Sequence, residues 1–113
     1  MKLIEKKIPL KELKDIAEGK FGNLVKAVVD VEKEIIVVDA ELHSDEEAHL
    51  LSQGSKQNNL WGINLYPEIK GDDFIEFDSV INLRPSFGNN SRGVDDPKIK
   101  DKIVGIVEKL IEK

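Results

Sequence analysis

The sequence predicts an α+β fold: a two-layer domain in which an antiparallel sheet, built from two β-hairpins, carries about three helices on one face. Three observations lead there. Two neighbouring runs rich in Val and Ile, residues 24–31 and 34–42, have the composition of paired strands. A second pair, residues 60–66 and 74–84, alternates apolar with polar side chains. Three other segments repeat apolar residues every third or fourth position, the spacing of one helical face.

At 113 residues the chain suits a single domain, residues 1–113, able to bury roughly two thirds of its unfolded surface. Its composition, 40% apolar and 35% charged, is that of a soluble protein. No apolar run approaches the roughly 18 residues of a membrane span. The charged start, Met1-Lys2-Leu3-Ile4-Glu5-Lys6-Lys7, has no secretory signal pattern, so the expected location is cytoplasmic.

The absence of cysteine removes disulfides and thiolate metal sites, leaving histidine and oxygen ligands for any metal. A net charge of -5 argues against nucleic acid, whose binding rests on Lys and Arg neutralising phosphates. The acidity is uneven. From Ala27 to Gln53 there are eight carboxylates and one lysine, which suits a cation or a basic partner as well as a plain solvated face.

In chain order, residues 2–8 read as a short edge strand. Pro9 then opens a helix, where its missing N–H is not needed. Leu10, Leu13, Ile16 and Ala17 form the apolar face of that helix, and Gly19 is its stop.

In the central hairpin, pairing about Glu32-Lys33 sets Val29 opposite Ile36 and Ala27 opposite Val38 on an apolar face. Lys26 then falls opposite Asp39, and Leu24 opposite Glu41, on the other. Continuing the alternation puts His43 on that second face. A slip of one residue would mix the faces, so burial holds the register.

Ser44-Asp45-Glu46-Glu47 has the form of a capping box. Helical spacing then turns Glu47, Ala48, Leu50 and Leu51 to the core and Asp45, Glu46, His49 and Gln53 away from it. Gly54 is the expected end.

Residues 60–66 form a strand halted by Pro67. Residues 74–84 return, with Ile75, Phe77, Ile81 and Leu83 on one side and Glu76, Asp78, Val80, Asn82 and Arg84 on the other. Asp96 caps a last helix that starts at Pro97 and presents Ile99, Ile103, Ile106, Val107, Leu110 and Ile111.

Two clusters carry the chemistry. The chain has two arginines among fifteen lysines, and Arg84 and Arg92 flank a loop of Gly, Asn and Ser. Arginine's fork binds carboxylate or phosphate in a bidentate way, and such loops let backbone N–H groups converge on an anion. Glu76, Asp78, Asn82, Arg84, Asn89, Asn90 and Arg92 are therefore the candidate ligand-binding residues. The plainer alternative is that Arg84 pairs with Glu76 or Asp78 and the loop only turns the chain.

The second cluster holds both histidines. Glu46 and His49 share a helix face at Glu-x-x-His spacing, and Glu41 and His43 would complete a divalent-metal site of Glu41, His43, Glu46 and His49. A histidine beside a carboxylate can also act as a base, which makes Glu41, His43 and His49 the catalytic candidates. Against both stands a run of helix-capping acids with incidental histidines. Gly54-Ser55-Lys56 is not a phosphate-binding loop, because the preceding glycine and strand are missing. Trp61 alternates with Ile63 and Leu65 as a core or interface residue.

Asp39-Ala-Glu-Leu-His-Ser-Asp-Glu-Glu, Gly54-Ser-Lys-Gln, Leu60-Trp-Gly-Ile-Asn-Leu-Tyr-Pro and Phe74-Ile-Glu-Phe-Asp-Ser-Val-Ile-Asn-Leu-Arg-Pro-Ser resemble a small family of prokaryotic proteins known only as a domain of unknown function. The resemblance spans the middle two thirds of the chain and implies no activity. Two function classes stay open. One is a site for a divalent metal or a small anionic ligand, including a hydrolytic version. The other is a non-enzymatic module that meets a protein partner, or a second copy as a homo-oligomer, through its acidic sheet face.

Overall fold

The computed structural model describes residues 1–113. Along the chain lie β1 (Lys2–Ile4), β2 (Ile8–Pro9), α1 (Leu10–Gly19), β3 (Val25–Asp30), β4 (Ile35–Val38), α2 (His43–Ser52), β5 (Leu60–Leu65), β6 (Ile75–Glu76), α3 (Pro97–Leu110) and β7 (Ile111–Glu112). Short 3-10 turns occupy Gln57–Asn59, Gly71–Phe74, Val80–Asn82 and Pro85–Phe87. β1 through β6, without β2, form a five-stranded sheet in the order β1-β4-β3-β5-β6, antiparallel at every step. β2 and β7 pair in parallel and tie the start of α1 to the end of α3. No helix is long and apolar enough to cross a membrane.

The central hairpin has the register its apolar face requires: Ala27 faces Val38 and Val29 faces Ile36. Asp30 makes the turn. Its buried carboxylate accepts the N–H groups of Glu32 and Lys33, each at 2.9 Å, and the Ser55 hydroxyl at 2.6 Å. This side-chain turn shapes the reversal while Glu34, at φ 57°, closes it.

The α+β class holds, but the helices divide between the two faces of the sheet. Leu13 and Ala17 of α1 and Ile103, Ile106, Val107 and Leu110 of α3 bury against Val25, Ala27, Val29, Ile36, Val38, Ile63 and Leu65. Leu50 of α2 packs with Val28, Val37 and Leu60 on the opposite face. The cause lies in the strands, since every residue of β5 is buried and β3 is buried from Ala27 onward. Strands apolar on both faces require cover on both.

Three local expectations are corrected. β4 stops at Val38, because Asp39 takes φ 70° and turns the chain off the sheet. Glu41 and His43 therefore do not continue the strand. α2 begins at His43, and Ser44 is not its cap: Leu42 holds that place without a side-chain bond, and its carbonyl accepts from Asp45 at 3.2 Å. The inner face of α2 is Glu46 and Leu50, while Leu51 is 39% exposed.

The second hairpin is also shorter than the alternation predicts. β5 and β6 pair only at Asn64–Glu76 and Leu65–Ile75. Beyond Ser79 the chain bends into the Val80–Asn82 turn, where the Ser79 hydroxyl accepts from Ile81 N–H at 3.3 Å. Side chains replace the missing strand. Asn82 accepts from Gly62 N–H at 2.8 Å and donates to Gly62 C=O at 2.9 Å, as a neighbouring backbone would. Gly62 is required there, because an added Cβ would lie 2.6 Å from Ser79 Cβ.

Helix ends follow the sequence more closely. Gly54, at φ 92°, ends α2 as Ser55 N–H reaches Leu50 C=O at 3.0 Å. Asp96 caps α3 by accepting from Lys98 N–H at 2.9 Å, and Pro97 is its first residue.

Candidate functional site

The α2 face of the sheet leaves one polar row uncovered by apolar packing. Lys26, Asn64 and Glu76 are register partners across β3, β5 and β6. Glu76 organises the row, with one carboxylate oxygen accepting from Asn64 Nδ2 at 2.8 Å and from the Tyr66 hydroxyl at 2.9 Å.

His43, first residue of α2, reaches this row from above. Its Nε2 lies 2.8 Å from the C=O of Ile63, the β5 residue opposite Ala27 of β3. Nε2 must carry a proton to donate there, so Nδ1 is the nitrogen left for other chemistry. Burial pushes the imidazole below its ordinary pKa; the Ile63 bond and the nearby Asp78 carboxylate act in the opposite direction.

Glu46 sits one turn further along the inside of α2. It is fully buried, and neither carboxylate oxygen has a hydrogen-bond partner. The Ala40 backbone and Lys26 pull its pKa down somewhat, but burial dominates and pushes it up to about 9. The side chain is therefore an uncharged acid at neutral pH.

The arginine loop is built inward. Arg84 donates to the carbonyls of Gln57 and Leu60, and its guanidinium stacks 4.4 Å from the centre of the Trp61 ring. Burial lowers its pKa, opposed by the Glu47 carboxylate. Asn89 donates to the carbonyls of Asn82, Ser91 and Gly93 at 2.7, 3.1 and 2.9 Å and accepts from Asp95 N–H at 2.8 Å. Asn90 N–H is taken by Asp95 at 2.7 Å, and Arg92 by Asp78 at 2.6 Å. Of the ligand-binding candidates, Asn82, Arg84 and Asn89 are buried; the first two hold the loop to β5 and Asn89 ties the loop to itself. Glu76, Asp78, Asn90 and Arg92 stay at the surface.

The histidine cluster is split. Glu41 and His49 line a surface depression of about 550 Å³ with Lys20, Asp39 and Asp45. His43 and Glu46 turn inward to the sheet instead, and no three His, Asp or Glu side chains converge as metal ligands would. Glu41, His43, Glu46 and His49 thus do not share one centre. Lys26, like Asn64, is a residue of the polar row that the sequence left outside the candidate sites. Its place beside Asn64 depends on the β3–β5 pairing, which local pattern does not specify.

A family model described as a protein of unknown function (DUF5674) matches residues 2–110. The chain belongs to the DUF5674 family. No curated protein and no solved structure matches it. The DUF5674 match takes in the polar row, the inward-built loop and α2 together. Chemically, the row offers one ammonium group, one free imidazole nitrogen and a carboxylate already occupied by Asn64 and Tyr66.

Proposed function

We propose that this DUF5674 chain is a non-enzymatic interaction module that presents residues 79–95 to a protein partner. One observation carries the reading. Val80, Leu83 and Phe87 are 66%, 49% and 62% exposed within eight residues, on a segment whose polar groups bond inward. Exposed apolar side chains on a segment already held in shape favour docking, because little order is lost on binding. Phe87 lies at the tip, where Arg84 and Asn89 bridge each other with two backbone bonds, at 2.9 and 3.1 Å.

A photo-crosslinking residue at Phe87, introduced into the full chain in its host cytoplasm, tests this. The expected product is one discrete protein adduct, lost when Leu83→Ser is added. An adduct with the chain itself would identify a homo-oligomer. Adducts no more abundant than those from Asp101, on the exposed side of α3, would remove the reading.

The polar row favours a second reading, a site for a small carboxylate- or phosphate-bearing ligand, with hydrolysis as its extension. Lys26 has no carboxylate within ion-pair distance and stands beside His43 and Asn64. In this reading Lys26 holds the anion and His43 Nδ1 accepts a proton. Thermal unfolding against phosphorylated compounds, carboxylates and divalent metals tests it, with Lys26→Met and His43→Asn alongside. A ligand at a hundred times its dissociation constant adds about 2.7 kcal/mol. No shift from any compound, or shifts indifferent to both substitutions, would remove this reading.

A further inference from the structure

The turn after β5 builds a groove that neither reading uses. The backbone there is fixed by Tyr66 N–H to Phe74 C=O at 2.9 Å and Ile69 N–H to Tyr66 C=O at 3.0 Å. Between this turn and the start of α1 opens a cavity of about 370 Å³, with Leu10, Pro67, Ile69 and Phe74 as its apolar lining. Ile69 is 43% exposed, an uncovered aliphatic side chain on a bonded turn. That volume lies in the range of small-molecule sites and is too small to seat a protein helix.

The rim is basic in a chain whose net charge is -5. Lys14, Lys70 and Lys113 line the cavity against a single carboxylate side chain, Glu68. Glu68 reaches Lys14 only at 3.8 Å, while Lys70 and Lys113 have no carboxylate within ion-pair distance. Lys113 Nζ lies 3.9 Å from the centre of the Phe74 ring instead. Unpaired ammonium groups above an apolar floor are complementary to a molecule with a hydrocarbon body and one negative end.

The surroundings limit the charge of that end. An adjoining depression of about 580 Å³ shares Gly71, Phe74 and Lys113 with the groove, and it is lined by Asp72, Asp73 and Glu108. Those carboxylates repel a multiply charged head group more than a singly charged one. The rim also lacks the arginine fork that favours phosphate.

We propose that this groove binds a small aliphatic carboxylate. The chain lies on Leu10, Ile69 and Phe74, and the carboxylate sits at the Lys14–Lys70 rim.

Titrating the full chain with hexanoate, octanoate and octanamide, followed by backbone amide NMR shifts, tests both halves of the site. Each buried methylene tightens binding about fourfold, so octanoate is expected to bind on the order of ten times more tightly than hexanoate. Octanamide, of the same length but uncharged, is expected to bind several times more weakly than octanoate. Shifts should centre on residues 67–74. Lys70→Glu should weaken octanoate and leave octanamide unchanged, whereas Ile69→Ser should weaken both; unchanged melting of these surface variants excludes misfolding. Equal affinity for octanoate and octanamide, indifference to Lys70→Glu, or shifts centred elsewhere would each overturn the proposal.

Discussion

Glu46→Gln separates a buried neutral acid from an ordinary one through the pH dependence of stability. In the folded chain the Glu46 carboxyl holds its proton up to about pH 9, because burial removes water and outweighs what the Ala40 backbone and Lys26 return. In the unfolded chain it releases the proton near 4.5, the ordinary value for glutamate. Between those values the unfolded state binds fewer protons, so unfolding becomes easier as pH rises. The limiting slope is about 1.4 kcal/mol per pH unit.

His43 works in the opposite sense. Its folded pKa is lowered by burial, so the unfolded state takes up the proton first as pH falls through the ordinary histidine range. That contribution raises stability with pH below about 6.5 and is level above it. The window from pH 7 to 8.5 therefore isolates Glu46. Across it the native chain should lose about 2 kcal/mol relative to Glu46→Gln, a midpoint difference on the order of 8 °C for a domain of this size. Urea unfolding at constant ionic strength, at four pH values in the window, measures it. Parallel stability curves for the two proteins would refute the argument, because a solvated or hydrogen-bonded Glu46 would already be ionised in both states at pH 7.

Gly62→Ala should destabilise by roughly 1–3 kcal/mol, because the added carbon meets buried Ser79 at 2.6 Å; denaturant midpoints check it, and a neutral result would mean the Ser79 turn is free to move. Gly105→Ala should stabilise by about 1 kcal/mol, since the site is exposed on α3 with nothing within 4 Å of an added Cβ; an unchanged melting temperature would contradict it. Arg84→Lys should lower stability by about 2 kcal/mol, as one ammonium group cannot serve the Gln57 and Leu60 carbonyls and the Trp61 ring together; calorimetry decides between this and the surface-residue outcome of no change.

The fold was legible where one physical rule governed a segment. The β3–β4 register followed from burying a single apolar face, and the start of α3 followed from Asp96-Pro97, although Ile111, counted in its apolar stripe, lies in β7. It was illegible where a polar residue stood in the core. Helical spacing places Glu46 outward because a carboxylate is expected in water, and that one assignment rotates the face predicted for α2. With α2 misphased, the second sheet face looked free. The divided helices and the coverage of Val28 and Val37 were both hidden by that error, while the inward His43 was hidden by extending β4 past Asp39.

The arginine loop was hard to read for a related reason. Arginine, asparagine and glycine in a loop are what an anion site needs, and they are equally what an unfinished sheet edge needs. β5 has an outer edge that β6 covers at only two residues. The remaining backbone groups must still be paired, because a buried unpaired N–H or C=O costs about 1–3 kcal/mol. Asn82 serves Gly62 and Arg84 serves Leu60. Two side chains singled out as ligand-binding candidates are thus aligned along one strand by its hydrogen-bonding demand. Composition alone cannot distinguish that demand from a ligand's, because both present the same donors and acceptors. Only the truncation of β6, set by the turn at Ser79, decides between them.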